Sequence, residues 1–578
     1  MEIHLIGKPK ILAGDGTERP VPGHQPWAVL ARLLCTKRAL GRRELAAEVF
    51  ADVEDPLGAL RWCLASLRKA TGAETLQGDP ITLNFPPGTS VDVWNIELGD
   101  AAETGSTKFL EGVEPSTNAE FETWLMIERE HIASALFARL RREAMRALSA
   151  GAHNRAKALA ERAVTCRPLD ESGHIVLVKC MATSGDIAAA VAHVDATEER
   201  ILRETGEKPS PALRGAARKS FADAPLGLSK AATIDALIKS GKAAVSAGAV
   251  DAGLDCLRRA AEDADKSGER HLLASALLEL GTSLVHAVRG FDDEGALALQ
   301  HAADIASDIG SSETGAKALC ELGYSEALAG RRPSAACYLD KAMAFAQGND
   351  DCLASIKAFT GFNLVDWGQI EQGVSHYYQA LEHARIADNR RREIWTLGIG
   401  AWGVLRAGRP EEARDWLIKC LDMCDDVRWL AFRPWAVALL AEVKMALHEI
   451  GNSTQSDLQE ALALSNQLGD PCWQAAAARS LALFHSDAKN YENARKWLAH
   501  ARERCCSVTD LYAGLLVEIL VDQVRLAKLC GEDKEAAMLA RDLLPVVART
   551  HADAHLGFAT SILNESASVE RPSLRLVQ

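Results

Sequence analysis

Residues 55–72, DPLGALRWCLASLRKATG, put two faces on one short helix. Leu60, Leu64 and Leu67 recur at i, i+4 and i+7 and form an apolar stripe. Arg61, Ala65 and Arg68 fall one position later and form a parallel, solvent-facing stripe, with Lys69 beside it. Asp55-Pro56 opens the helix and Gly72 closes it, following the preference for Pro just inside a helix start and Gly just past its end. A helix that buries leucines and presents arginines has the form needed to lie in a DNA major groove.

The flanking sequence builds a small domain around this helix. MEIHLIGKPKIL alternates Ile3 and Leu5 on one side, with Ile11 and Leu12 after Pro9; AGDG turns and TERPVPG continues extended, which reads as a small sheet. A helix follows from Gln25 to about Thr36, with Trp27, Leu30, Leu33 and Leu34 inward. A second, from about Arg42 to Phe50, buries Leu45, Val49 and Phe50. After the helix at 55–72, TLQGDPITLNFPPGTSVDVW closes the domain as a β-hairpin with a Gly-Asp-Pro turn. Sheet, three helices and hairpin is the order of a winged helix-turn-helix. Trp62 is read as packing under the third helix. The hairpin from Thr75 to Trp94 holds no Lys or Arg, so the wing lacks the cation that would touch a minor-groove backbone.

Residues 1–95 resemble the OmpR-type DNA-binding domain of the Streptomyces antibiotic regulatory protein (SARP) group of transcriptional activators. The resemblance is carried by IHLIGKPKIL, WAVLARLLCTKRALGRRELAAEVF, DPLGALRWCLASLRKATG and Asp92. It implies that residues 55–70 are the recognition helix, that Arg61, Arg68 and Lys69 contact bases or phosphates, and that Arg42 and Arg43 contact the backbone from the preceding helix. Residues 96–215 form a second, helical module, with Gly151 and Gly185 spaced by the tetratricopeptide period. FLEGV, AEFETWLMIERE, RPLDES and ETGEKPSPAL, in that order, resemble the bacterial transcriptional activator domain that follows the winged helix in SARP-group proteins. That resemblance implies packing against the DNA-binding domain and tandem or dimeric binding, with double-stranded DNA and RNA polymerase as partners.

A linker at 216–230 leads into a solenoid of helix pairs at 231–565, followed by a flexible tail at 566–578. Gly248, Gly290, Gly330, Gly368 and Gly408 recur about every forty residues. Each precedes a helix of alternating small and large residues, such as ALALQHAADIA and GVSHYYQALEHA. Such an array is one continuous core with a concave inner surface. Eight of the twelve tryptophans lie between 367 and 497. Trp395 and Trp402 share a helix face with Gly398, Gly400 and Gly403 interspersed, and helix-interior glycines cost stability unless something approaches closely. Close packing between helices is one reading. The other is an aromatic groove for a peptide or small effector, which Asn363 and Trp367 would join.

The fold class is therefore mainly α: a small α+β winged helix, a tetratricopeptide-like helical module and an α-solenoid. With 578 residues the chain exceeds what one core holds. Residues 1–95 balance 11 Lys+Arg against 11 Asp+Glu, whereas residues 221–578 hold 37 against 49 and carry most of the net charge of −14. Phosphate binding rewards positive charge, so any DNA contact belongs to the N-terminal part. The fourteen cysteines sit at apolar helix positions without paired CxxC spacing, and His551 and His555 share a face with no third ligand, so no metal is expected. SGKAA at 240–244 lacks the rest of a phosphate-binding loop, and no HExxH or GxSxG occurs. Neither cofactor nor enzymatic activity is expected. Without a signal-like or membrane-spanning apolar run, a cytosolic location is expected.

Overall fold

The N-terminal helices run where the hydrophobic pattern places them. β1 (Glu2–His4), β2 (Lys10–Leu12) and β3 (Glu18–Arg19) form an antiparallel meander with Ile3 opposite Ile11. Then come α1 (Gln25–Cys35), α2 (Arg42–Phe50) and α3 (Pro56–Thr71). The computed structural model describes the chain except residues 37–38, 51–52, 95, 97–106, 114–118, 207, 218–229, 247–248, 452, 509 and 571–578. Most of the expected linker, Gly248 and the end of the tail thus lie outside the described residues. The described chain falls into two compact units, residues 1–141 with 161–168, and residues 142–160 with 169–578.

In the first unit the segment read as a single hairpin is two things. β4 (Leu76–Gln77) and β5 (Thr82–Leu83) pair as the hairpin, while β6 (Ser90–Val91) leaves it and runs parallel to β1, giving the sheet order β3-β2-β1-β6. Side chains after β6 explain the departure. The Asp92 carboxylate accepts the Leu5 and Ile6 amides at 2.9 and 2.8 Å, and Trp94 Nε1 donates to the Leu34 carbonyl at 2.9 Å. Burial pushes the Asp92 carboxyl up, and these amides only partly offset it. Ile3, Leu5, Ile11, Leu30, Leu45, Phe50, Leu60, Leu64 and Leu67 form the core between sheet and helices. α4 (Ala119–Ser149) begins in this unit, where Arg129 donates to the carbonyls of Phe109, Leu110 and Val113.

The second unit is helical among the described residues. After α5 (His153–Cys166) come α6 (Glu171–Thr183), α7 (Ile187–Thr205) and α8 (Pro211–Ala216). They enclose Ile175, Val178, Ala190, Val194 and Leu213, and Phe291 from the array packs on that cluster. The array itself is a tetratricopeptide-like solenoid of antiparallel pairs. These are α9 (Lys230–Ser246) with α10 (Val250–Ser267), α11 (Arg270–His286) with α12 (Asp292–Ile309), α13 (Ser312–Leu328) with α14 (Arg332–Ala346), and α15 (Asp350–Asp366) with α16 (Ile370–Ile386). The series continues with α17 (Arg390–Arg406) and α18 (Pro410–Asp426), α19 (Arg433–Ala446) and α20 (Thr454–Leu468), α21 (Pro471–Asp487) and α22 (Tyr491–Cys505), and α23 (Ala513–Leu529) and α24 (Asp533–Arg549), before α25 (Asp553–Glu570). No helix among the described residues is long and apolar enough to cross a membrane.

Two features set the repeat. Gly290, Gly330, Gly368 and Gly408 sit in the turn within each pair at φ between +75° and +91°. The series goes on where glycine does not: His448 and Lys489 take the same left-handed turn at φ +56° and +58°, and Gly531 follows at +74°. Inside the pairs, helices cross at facing small residues. A Cβ on Gly361 would lie 2.8 Å from the Gly373 carbonyl oxygen, and one on Gly281 the same distance from that of Gly295.

The inner side of the array is filled by its own later repeats. The Gly290 and Phe291 amides donate to Asp510 at 2.5 and 3.1 Å, and Arg289 pairs with Asp470 at 3.1 Å. Arg332 Nε donates to the Thr550 carbonyl at 3.3 Å, and Gly330 abuts Thr550 and Ala513. The concave surface expected from periodicity is a packed interior at these positions.

Candidate nucleic-acid interface and array interior

α3 is built for one exposed face. Asp55 accepts the Gly58 amide at 2.8 Å as N-cap, Pro56 follows, and the Gly72 amide closes the helix on the Arg68 carbonyl at 2.9 Å. Leu60, Leu64 and Leu67 are buried, whereas Arg61, Trp62, Ala65 and Lys69 are exposed. Trp62 is 54% exposed and does not pack under the helix, contrary to the expectation from sequence. Residues 60, 64 and 67 already fill the inward stripe, and position 62 lies roughly on the opposite side of the helix from it.

The other expected DNA-contacting residues divide into two groups. Arg68 is half-buried, its Nε donating to the Leu76 carbonyl at 2.9 Å with Nη2 on the same oxygen. The Arg42 amide donates to Asp79 Oδ1 at 2.8 Å and its Nε to the Gly78 carbonyl at 2.9 Å. Both guanidiniums therefore hold the β4–β5 hairpin against α2 and α3. Arg43 is exposed on α2, and Arg61 lies 3.5 Å from Asp55 with both side chains well exposed, a pairing that solvent largely screens. Among the described residues expected to contact DNA, Arg61, Lys69 and Arg43 thus present their cations outward.

The residues read as an effector groove lie within the array interior. Trp395 is buried edge-on to Tyr324 and Phe359, and Trp402 stacks on Trp435, with the Arg479 guanidinium over the Trp402 ring. Asn363 is buried and donates to the Arg332 carbonyl at 2.9 Å; Trp367 is half-buried, its ring 6.2 Å from that of His551. The interspersed glycines accommodate close helix packing: a Cβ on Gly398 would meet Phe432, and one on Gly400 would meet Trp416. Asn363 Oδ1 and Trp402 Nε1 are buried without a hydrogen-bond partner among the described residues.

Beside these rings runs a charged network that sequence patterning does not reveal. Arg332 pairs with Asp366 at 3.3 Å; Arg406 lies 3.6 Å from both Asp366 and Glu518. Arg479 reaches Asp522 at 2.7 Å, Glu442 at 3.0 Å and Glu518 at 3.8 Å, and His555 Nε2 pairs with Glu518 at 3.1 Å. Burial raises the Glu518 carboxyl, but the His555 hydrogen bond and the Arg406 and Arg479 guanidiniums outweigh it and hold that group well below the usual carboxylate range. Burial dominates at Glu442 and Asp522, which stay above it despite Arg479. Apart from Arg332, which opens α14, the only signal in the sequence is an ionisable residue at an inward position of successive odd-numbered helices. All fourteen cysteines are free thiols.

Residues 97–219 match the bacterial transcriptional activator domain. The matched segment is well under half of the chain and draws residues from both compact units. No curated protein matches the chain. Among solved structures, PilF of Pseudomonas aeruginosa is similar at 17% identity, covering 45% of this chain and 100% of its own, with a TM-score of 0.28. Aspartyl phosphate phosphatase F from Bacillus subtilis is 12% identical over 71% of this chain and 93% of its own, with a TM-score of 0.37. Yeast Tom70 is 13% identical over 79% and 93%, with a TM-score of 0.30.

Proposed function

We propose that this protein is a sequence-specific DNA-binding transcriptional regulator, an activator of the SARP group, acting by binding and not by catalysis. The observation that carries the reading is the activator-domain match at 97–219 directly behind a sheet, three helices and hairpin whose third helix exposes Arg61 and Lys69. In this reading residues 1–95 are a winged helix of OmpR type, with α3 in the major groove. Copies pair on repeated half-sites, which raises a modest single-site affinity through effective concentration. The array is the docking body for a protein or small effector, whose binding biases the DNA-competent state.

The test is selection of the full chain on a randomised duplex library at low salt. A repeated half-site should enrich, binding should fall steeply with salt, and Arg61→Ala/Lys69→Ala should abolish enrichment. Absence of any enriched site refutes the reading. A scaffold whose N-terminal unit contacts protein is the second reading. It is favoured by the hairpin's lack of basic residues and by the commitment of Arg42 and Arg68 to that hairpin. A scaffold shows neither salt-dependent DNA binding nor sensitivity to Arg61.

A further inference from the structure

We infer that Trp62 reads DNA sequence directly, its indole seated against the C5-methyl group of a thymine in the major groove. The inference rests on the DNA-binding reading above and names the base chemistry that reading leaves open. Trp62 is the most exposed of the large apolar side chains among the described residues of the N-terminal unit, at 54%, and it stands on the outward face of α3. Ala65 and Ser66, one turn on, are too small to cover the ring. The ring is therefore left open to whatever lies against this face of α3.

Charge decides which partner suits this edge. Arg61 precedes Trp62, its only ion pair among the described residues being the well-exposed one to Asp55, and Lys69 lies two turns on along the same face, so outward cations on α3 flank the ring and complement a polyanion. In the major groove the thymine methyl is the one apolar feature among the base edges, and apolar side chains contact it. Arginine at the neighbouring position suits the O6 and N7 acceptors of guanine. Trp62 and Arg61 together therefore specify thymine close to guanine within each half-site.

The test uses the full chain and the half-site it selects, replacing each thymine singly by deoxyuridine, which removes only the methyl group. At one position per half-site the wild-type protein should lose about fourfold in affinity, the cost of leaving one methyl-sized apolar group unburied. Trp62→Ala should bind thymine and uracil duplexes equally, with an unchanged thermal unfolding profile because the side chain is exposed. Uracil tolerated at every position, or discrimination retained by Trp62→Ala, overturns the inference. If Arg61→Ala still abolishes binding in that case, the DNA-binding reading stands without it. If no half-site is selected at all, both fall, and the exposed Trp62 edge then belongs to a protein contact.

Discussion

Arg479 offers the sharpest test of the array interior. It is buried among Glu442, Glu518 and Asp522 and lies over the Trp402 ring at 5.2 Å. Arg479→Met keeps much of the apolar stem and removes the charge. Glu518 then retains His555 and Arg406, and Asp522 retains Arg525 at 3.3 Å, but Glu442 is left with the Ser480 hydroxyl at 2.5 Å. Removing one partner of a buried pair costs about 3–5 kcal/mol, because a charge stays buried without compensation. Glu442 limits that cost by taking up a proton, so the destabilisation should be largest at alkaline pH and shrink as pH falls. A repeat array unfolds in parts, so the readout is amide hydrogen exchange in α19, α21 and α23. Protection there should drop by about two to three and a half orders of magnitude, with Lys496→Met, which breaks the exposed pair to Glu492, leaving it unchanged. A drop of less than tenfold in Arg479→Met would refute the reasoning that its loss leaves Glu442 buried without compensation.

Other perturbations probe separate parts of the molecule. Gly361→Ala forces a Cβ to within 2.8 Å of a backbone oxygen that its own helix holds in place, and should cost about 1–3 kcal/mol, read as lost protection in α15 and α16. His448→Gly and Lys489→Gly relieve left-handed backbone and should each stabilise by about 0.5–1 kcal/mol in chemical denaturation; a loss of stability would mean those side chains do more than fill a turn. Burial pushes the Glu171 carboxyl up to about 7, only partly offset by the Ser210 hydroxyl and amide. Its folded value lies above its unfolded one, so stability should be lost as pH rises from about 4.5 to 7, by at most about 3 kcal/mol. Glu171→Gln should flatten that slope in melting temperature against pH.

The three N-terminal helices are legible in sequence because each buries a single face, and Leu60, Leu64 and Leu67 mark it for α3. The orientation of Arg68 is not legible, since its partner is a carbonyl oxygen of a hairpin that any sequence could supply. Asp92 stands out as a residue of the resemblance, but its work on the Leu5 and Ile6 amides needs the fold to be seen. The repeat read through glycine stops at Gly408, because His448 and Lys489 adopt the same backbone without advertising it. Trp395 and Trp402 are legible as inward-facing. What covers them, from Tyr324 to Arg479, is not, because that depends on how far the superhelix turns per pair.

The bonds from Gly290 and Phe291 to Asp510 span some five intervening helix pairs. An open solenoid can lengthen by duplicating a unit, since each unit touches only its neighbours. Here an added pair would carry Asp510 past the amides it caps and Asp470 past Arg289, leaving buried charge behind. The array therefore verifies its own length, and its number of repeats is as much a part of the sequence's specification as any side chain.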